Sequence, residues 1–190
     1  MKRTFIAIKI DLAEEYAELL RELQRHTSFD DIVWVKDALH HLTLRFIGKT
    51  PEDKISKISQ LVNVIAAETP NFTLKINKLG VFGSRYCPKV IWLGFEQNDT
   101  LNTLFQQIEK KLVEELGFEP AEGNWVPHLT LGRIKKIDDK KRFWQLIERM
   151  QPTYQQEIEV NEITFFRSQL EKEGPIYTEI SENGLNRLNG

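Results

Sequence analysis

The sequence predicts an α+β chain of two similar lobes that face each other, and three observations lead there. Segments with strand periodicity and segments with helical periodicity mix without the strict strand–helix–strand alternation of a parallel sheet. The tetrapeptide His-Leu-Thr-Leu occurs at 41–44 and again at 128–131, nearly half of the 190-residue chain apart. Each copy is preceded by a Trp-Val pair, at 34–35 and at 125–126. Two facing lobes in one domain spanning 1–190, one lobe per motif, are the simplest architecture for such a repeat, with a short polar tail from about 182.

The elements read as follows. Thr4 to Ile10 alternates and is rich in β-branched residues, which predicts a strand. Asp11 is placed to cap a helix reaching about His26, with Leu12, Tyr16, Leu19, Leu20 and Leu23 on one side. Ile32–Val35 and His40–Ile47 read as strands, the second ended by Gly48. Pro51 opens a helix in which Ile55, Ile58, Leu61, Val62 and Ile65 recur at helical spacing. Phe72–Leu79 and Val90–Phe95 read as strands joined by a long loop through Gly83 and Pro88. Asp99 or Thr100 caps a helix over Leu101–Leu116, with Gly117 at its end. His128–Leu131 is a strand, Asp138 starts a helix to about Met150, Tyr154–Ser168 holds a long strand region and Pro175–Ser181 a last strand.

Composition narrows the class. A hydrophobic fraction of 41% with 28% charged residues is that of an ordinary soluble globular chain. A net charge of −2 argues against a general coat of positive charge for nucleic acid, so any such contact is local. Cys87 is the single cysteine, which precludes an intrachain disulfide and fits a reducing compartment. The apolar start is too short and too soon charged for a signal peptide, and no stretch reaches membrane-span length, so a cytoplasmic location is expected.

The repeated strand carries the chemistry. Alternation puts His41, Thr43 and Arg45 on one face and Leu42, Leu44 and Phe46 on the other. His128 and Thr130 stand in the same relation to Leu129 and Leu131. The apolar face belongs under helices; the polar face is left to line a cleft. Two histidines on facing lobes suit phosphoryl transfer without a metal: one takes a proton from the nucleophile and the other gives one to the leaving oxygen. Attack and departure lie in line, so base and acid belong on opposite sides of phosphorus. A threonine two residues along reaches a non-bridging oxygen. Duplication of a purely structural strand would give the same pattern, and the sequence alone does not separate donor from acceptor.

The segments His-Leu-Thr-Leu-Arg-Phe at 41–46 and Pro-His-Leu-Thr-Leu-Gly-Arg at 127–133 resemble the two signature motifs of the two-histidine (2H) phosphoesterase superfamily. The nearest likeness is to the LigT-like RNA 2′,3′-cyclic phosphodiesterases, also called 2′–5′ RNA ligases. Phe5-Ile6-Ala7-Ile8, Trp34-Val35 and Ile91-Trp92-Leu93-Gly94 agree with that group, so the resemblance spans nearly the whole chain. It implies antiparallel sheets around a central cleft with helices outside, and hydrolysis of a 2′,3′-cyclic phosphate on an RNA end to a 2′-phosphate. It further implies His41 as proton donor, His128 as acceptor, and Thr43 and Thr130 on the phosphate oxygens.

Two arginines join the phosphate-binding candidates. Arg45 shares the His41 face; Arg133 falls on the wrong face for strict alternation unless a bulge at Gly132 turns it back. Phe5, Trp34, Trp92 and Trp125 are candidate stacking surfaces for a base, and core packing is the competing role of each. The basic runs Lys135-Lys136 and Lys140-Lys141-Arg142 suit either a solvated face or an RNA backbone. His40 points away from His41 and His26 ends a helix, so both read as structural. No His/Cys/carboxylate cluster has metal-ligand spacing and no glycine-rich phosphate loop appears, so neither metal nor cofactor is expected, and an ATP-dependent ligase is disfavoured. The competing functions are 2′–5′ ligation by the reverse reaction, another small cyclic phosphoester as substrate, and an RNA-end binding module without turnover.

Overall fold

The computed structural model of the chain describes residues 2–171 and 174–186. In chain order the elements are β1 (Lys2–Lys9), α1 (Glu14–His26), β2 (Asp31–Trp34), a 3-10 turn at Asp37–Leu39, β3 (His41–Thr50), α2 (Glu52–Glu68), β4 (Phe72–Gly83) and β5 (Pro88–Phe95). Then follow α3 (Asp99–Glu114), β6 (His128–Lys136), α4 (Lys140–Arg149), β7 (Glu157–Val160), β8 (Glu162–Glu171) and β9 (Gly174–Gly184). The α+β class expected from the sequence is what the chain forms.

The strands run in the order β7-β4-β5-β6-β3-β1-β8-β9, with β2 also paired to β6. Every strand pairing is antiparallel. One half of the sheet is β3-β1-β8-β9; the other is β6-β5-β4-β7. They meet at a single paired position, Leu42 opposite Leu129, in the middle of the two repeated tetrapeptides. The short β2 crosses over: it leaves the first half and pairs with β6 of the second.

Burial follows from the alternation. Leu42, Leu44, Leu129 and Leu131 are buried in the main core, with Ile58, Leu61, Val62 and Ile65 of α2 and Leu101, Leu104, Ile108 and Leu112 of α3. Each fully buried leucine contributes about 1.5–3 kcal/mol, so the core face sets the register of both motif strands. On β1 both faces are buried. Ile6 and Ile8 join the main core, while Phe5 and Ala7 pack with Phe166 and Tyr177 in a second cluster on the opposite face.

Several boundaries differ from the sequence expectation, each for a local reason. Helix α1 starts at Glu14 with Ala13 as its cap, not Asp11; Gln156 meets this entry instead, accepting from the Ala13 N–H and donating to the Asp11 carbonyl. The cap of α3 is Asn98, whose side chain accepts from the Leu101 N–H at 2.9 Å. Helix α4 is capped by Asp139. The expected long loop between β4 and β5 is a tight hairpin turn over residues 84–87, closed by Ser84 and Cys87 backbone bonds and entered at Gly83, whose φ of 109° a side chain would resist. Gly48 does not end β3, which runs on to Thr50. Register shifts against β1, between Thr43 and Arg45 and between Phe46 and Gly48, break the alternation. Phe46, expected on the apolar reverse, is therefore 49% exposed. No helix among the described residues is long and apolar enough to cross a membrane.

Candidate active site

The site is built where the two half-sheets touch. Antiparallel pairing of Leu42 with Leu129 sets His41 beside Thr130 and Thr43 beside His128, all four on the face away from the core leucines. The four residues line one cavity of about 750 Å³, together with Arg133, Tyr177 and Trp34. A second cavity of about 670 Å³ adjoins the first through Thr43 and His128 alone.

The two lobes hold each other's motif. In the second half Val35 donates its N–H to the Leu131 carbonyl at 2.8 Å. In the first, the Trp125 indole donates to the Thr43 carbonyl at 3.1 Å. Each Trp-Val pair thus braces the histidine strand of the other half. The face of Trp34 sits so close to Gly132 that an added Cβ would lie 2.9 Å from its ring, which explains the glycine in the second motif.

Both imidazoles are oriented alike. His41 Nδ1 lies 2.7 Å from the Leu39 carbonyl, and His128 Nδ1 lies 2.7 Å from the Val126 carbonyl. A carbonyl only accepts, so Nδ1 carries the hydrogen in both rings and Nε2 is left for proton exchange. Aromatic neighbours fix the ring planes. His41 packs on Phe5 at 5.0 Å and edge-on to Tyr177 at 5.3 Å; His128 packs edge-on to Phe82 at 4.8 Å.

Burial holds both rings below the ordinary imidazole pKa. For His41, desolvation leads, and the neighbouring His40, His128 and Arg133 charges add to it against the Leu39 bond. For His128, desolvation again leads and Arg133 assists, against the Val126 bond. Burial thus favours the neutral form of each ring, and an anion between the rings would favour the charged form.

Of the six sequence candidates, the structure brings together five: His41, Thr43, His128, Thr130 and Arg133. The bulge required for Arg133 is present. Trp92 pairs with Thr130 and Ile91 with Gly132, so Leu131 is the extra residue and the parity of β6 changes there. Arg45 lies in the second cavity. Its Nε is 2.7 Å from Glu109 of α3, and it donates to the Glu119 and Phe46 carbonyls. Phe5 and Trp92 are buried and pack under the histidines; Trp34 and Trp125 line the cavities. Lys136 pairs with Asp138 and Arg142 with Asp30, and none of the basic-run residues lines either cavity. His40 is buried, as the strand alternation requires.

Tyr177, Phe82 and Lys36 went unrecognised in the sequence. Phe82 lies in the segment read as loop, and Tyr177 reaches His41 only because β9 pairs with β8 and β8 with β1. Among the described residues no three His, Cys, Asp or Glu side chains converge as metal ligands.

The chain is similar to known proteins over most of its length. Residues 12–172 match the model of the 2′-5′ RNA ligase superfamily. An RNA 2′,3′-cyclic phosphodiesterase of Methanocaldococcus jannaschii is 34% identical over 180 residues, 95% of this chain and 99% of that protein. One of Thermotoga maritima is 33% identical over 184 residues, 95% of this chain and 94% of the relative. Among solved structures, TT0787 of Thermus thermophilus superposes with a TM-score of 0.79 at 24% identity, covering 98% of this chain and all of that one. Escherichia coli LigT in its apo form gives 0.74 at 24% identity, covering 98% of each chain. With a family model over most of its length, relatives above 30% identity end to end, and its two motifs meeting in one cavity, the chain belongs to the 2′-5′ RNA ligase superfamily.

Proposed function

We propose that the chain hydrolyses RNA 2′,3′-cyclic phosphate ends to 2′-phosphates, with His128 as the general base and His41 as the general acid. The observation that carries this reading is the pair of imidazoles with Nδ1 tied to backbone carbonyls, in one cavity with two threonines and an arginine. The names of the two relatives support the substrate class.

In this reading the cyclic phosphate lies between the two Nε2 atoms. The Thr43 and Thr130 hydroxyls donate to its non-bridging oxygens, and Arg133 balances their charge. A water gives its proton to His128 Nε2 as its oxygen bonds to phosphorus. The P–O3′ bond breaks and O3′ takes the proton from His41 Nε2. His41 begins charged and ends neutral; His128 does the reverse, and solvent resets both. The anion itself helps, because its negative charge offsets the burial that otherwise keeps His41 neutral. A cytoplasmic setting suits the free, exposed Cys87.

The test is turnover of 2′,3′-cyclic AMP and of cyclic-ended oligonucleotides by the purified chain, with products identified by ³¹P NMR. A 2′-monoester with a free 3′-hydroxyl is expected. Binding without turnover, or a 3′-monoester product, would overturn the reading.

A further inference from the structure

His41 lines the first cavity and not the second. With His41 protonating O3′, the ribose that carries the cyclic phosphate lies in the first cavity. A cyclic phosphate is the 3′ end of its strand. The RNA can therefore continue only from the 5′ carbon of that ribose, where the next phosphate is attached. That phosphate keeps a negative charge, and the path it takes is decided by the charges around the two cavities.

In the second cavity the one arginine, Arg45, is paired with Glu109, and Glu119 and Glu122 also line the wall. A phosphate would be repelled there. The first holds two cations, Arg133 and Lys36, against one carboxylate, Glu171. Neither cation has an ion-pair partner among the described residues. Arg133 balances the cyclic phosphate. Lys36 is then a second cation in the same cavity, and a free cyclic mononucleotide has no second phosphate for it to meet.

Lys36 is held at its base and free at its tip. Val35, just before it, donates its N–H to the Leu131 carbonyl at 2.8 Å, and the Lys36 carbonyl accepts from the Leu39 N–H at 2.8 Å. The backbone is thus fixed by β6 on one side and by the turn at Asp37–Leu39 on the other, while the side chain is exposed. The same turn ends in the Leu39 carbonyl that holds His41 Nδ1. One short segment therefore places both the cation and the acid. A compact ammonium on a flexible stem meets a phosphate as a point charge, without demanding a two-pronged geometry. We propose that Lys36 binds the phosphodiester joining the terminal nucleotide to the one before it, so that the site prefers an RNA strand end to a free cyclic nucleotide. The proposal rests on the reading of His41 as the acid at O3′ of a cyclic phosphate.

The experiment gives the full chain three substrates: 2′,3′-cyclic AMP, the dinucleotide ApA ending in a 2′,3′-cyclic phosphate, and that dinucleotide with an uncharged methylphosphonate as its internal linkage. Opening of the cyclic end is followed and kcat/KM is compared. The natural dinucleotide should exceed cyclic AMP by about fivefold, the upper scale of one exposed ion pair, and the methylphosphonate should lose most of that gain. In a log–log plot against salt, kcat/KM of the natural dinucleotide should fall more steeply than that of cyclic AMP by about 0.7, the slope of one phosphate contact to a single strand. In Lys36→Met the ratio of dinucleotide to cyclic AMP, taken within that variant, should fall towards one, and the extra salt slope should go with it. Lys36→Arg, which keeps the charge, should keep both. Equal kcat/KM for all three substrates in the wild type overturns the proposal and leaves the hydrolase reading intact. So does a gain that survives the methylphosphonate, because it then comes from the second nucleoside. A gain that survives Lys36→Met comes from another cation and also overturns it. No turnover of any of the three removes the functional reading itself, and the proposal with it.

Discussion

The halves of the site use the same motif, yet their arginines have opposite fates. Arg45 follows His41 and Thr43 on β3; Arg133 follows His128 and Thr130 on β6. Arg133 is exposed beside both histidines and lowers the pKa of each. Arg45 is 12% exposed, held by Glu109 and by the carbonyl of Glu119. Glu109 also accepts from the Ala121 N–H, so the pair anchors the loop that leads to Trp125 and His128. Equal position in a repeat does not confer equal role. The neighbours decide: a carboxylate on α3 neutralises one guanidinium, while the Leu131 bulge aims the other into the cavity.

The comparison breaks most sharply at the histidines, which it treats as equals in orientation and opposites in protonation. His41→Asn and His128→Asn should each lower kcat/KM by about 10²–10⁴-fold, the usual contribution of a general acid or base. Their double variant should lose less than the product, as a cooperating pair does. The single variants should remove opposite limbs of the pH profile. Near-normal rates in either folded variant would end the two-histidine scheme.

The arginines come next. If Arg133 contacts the phosphate as proposed, Arg133→Met should cost about 1.5–3 kcal/mol of transition-state binding, roughly 10–100-fold in kcat/KM. It should also move both limbs of the profile upward, because Arg133 pushes both imidazoles down. Arg45→Met should leave the affinity for inorganic phosphate unchanged. It should lower stability by roughly 1–3 kcal/mol by leaving Glu109 unpaired, and Glu109→Gln should restore part of that loss. Equal loss of phosphate affinity in both arginine variants would erase the contrast.

Thr43→Val and Thr130→Val test whether the lobes share the phosphate evenly. Each should lose about tenfold or more, from one hydrogen bond to a charged oxygen. Normal rates in both would return the threonines to the role of strand formers.

The smallest effect is on stability. His40, His41 and His128 all have folded pKa values below the unfolded value of about 6.5, with desolvation the leading cause. Their neutral forms are favoured by folding, so their contribution is fully present above about pH 6.5 and is lost as the pH falls through the folded values. The urea midpoint should drop between pH 7.5 and 5, and the drop should be smaller in the His41→Asn/His128→Asn chain. An unchanged slope would show that these rings are not the buried, neutral pair described here.

The sequence by itself determined the α+β class, the repeat and the four His and Thr candidates. These follow from local physics: alternation on a strand assigns faces with no knowledge of neighbours, and apolar periodicity marks which face is core. It also posed the problem of Arg133 correctly, since a glycine in a strand is where a bulge can form. Only the tertiary structure decided the rest. The exposure of Phe46 and the inward turn of Arg133 depend on register shifts against β1 and β5, and no local pattern specifies a partner's register. The pairing of Arg45 with Glu109 joins residues from β3 and α3, and the contact of Tyr177 with His41 crosses from β9 to β3. Such contacts are set by which strands become neighbours, and that outcome is decided by burial summed over the whole chain rather than by any one segment.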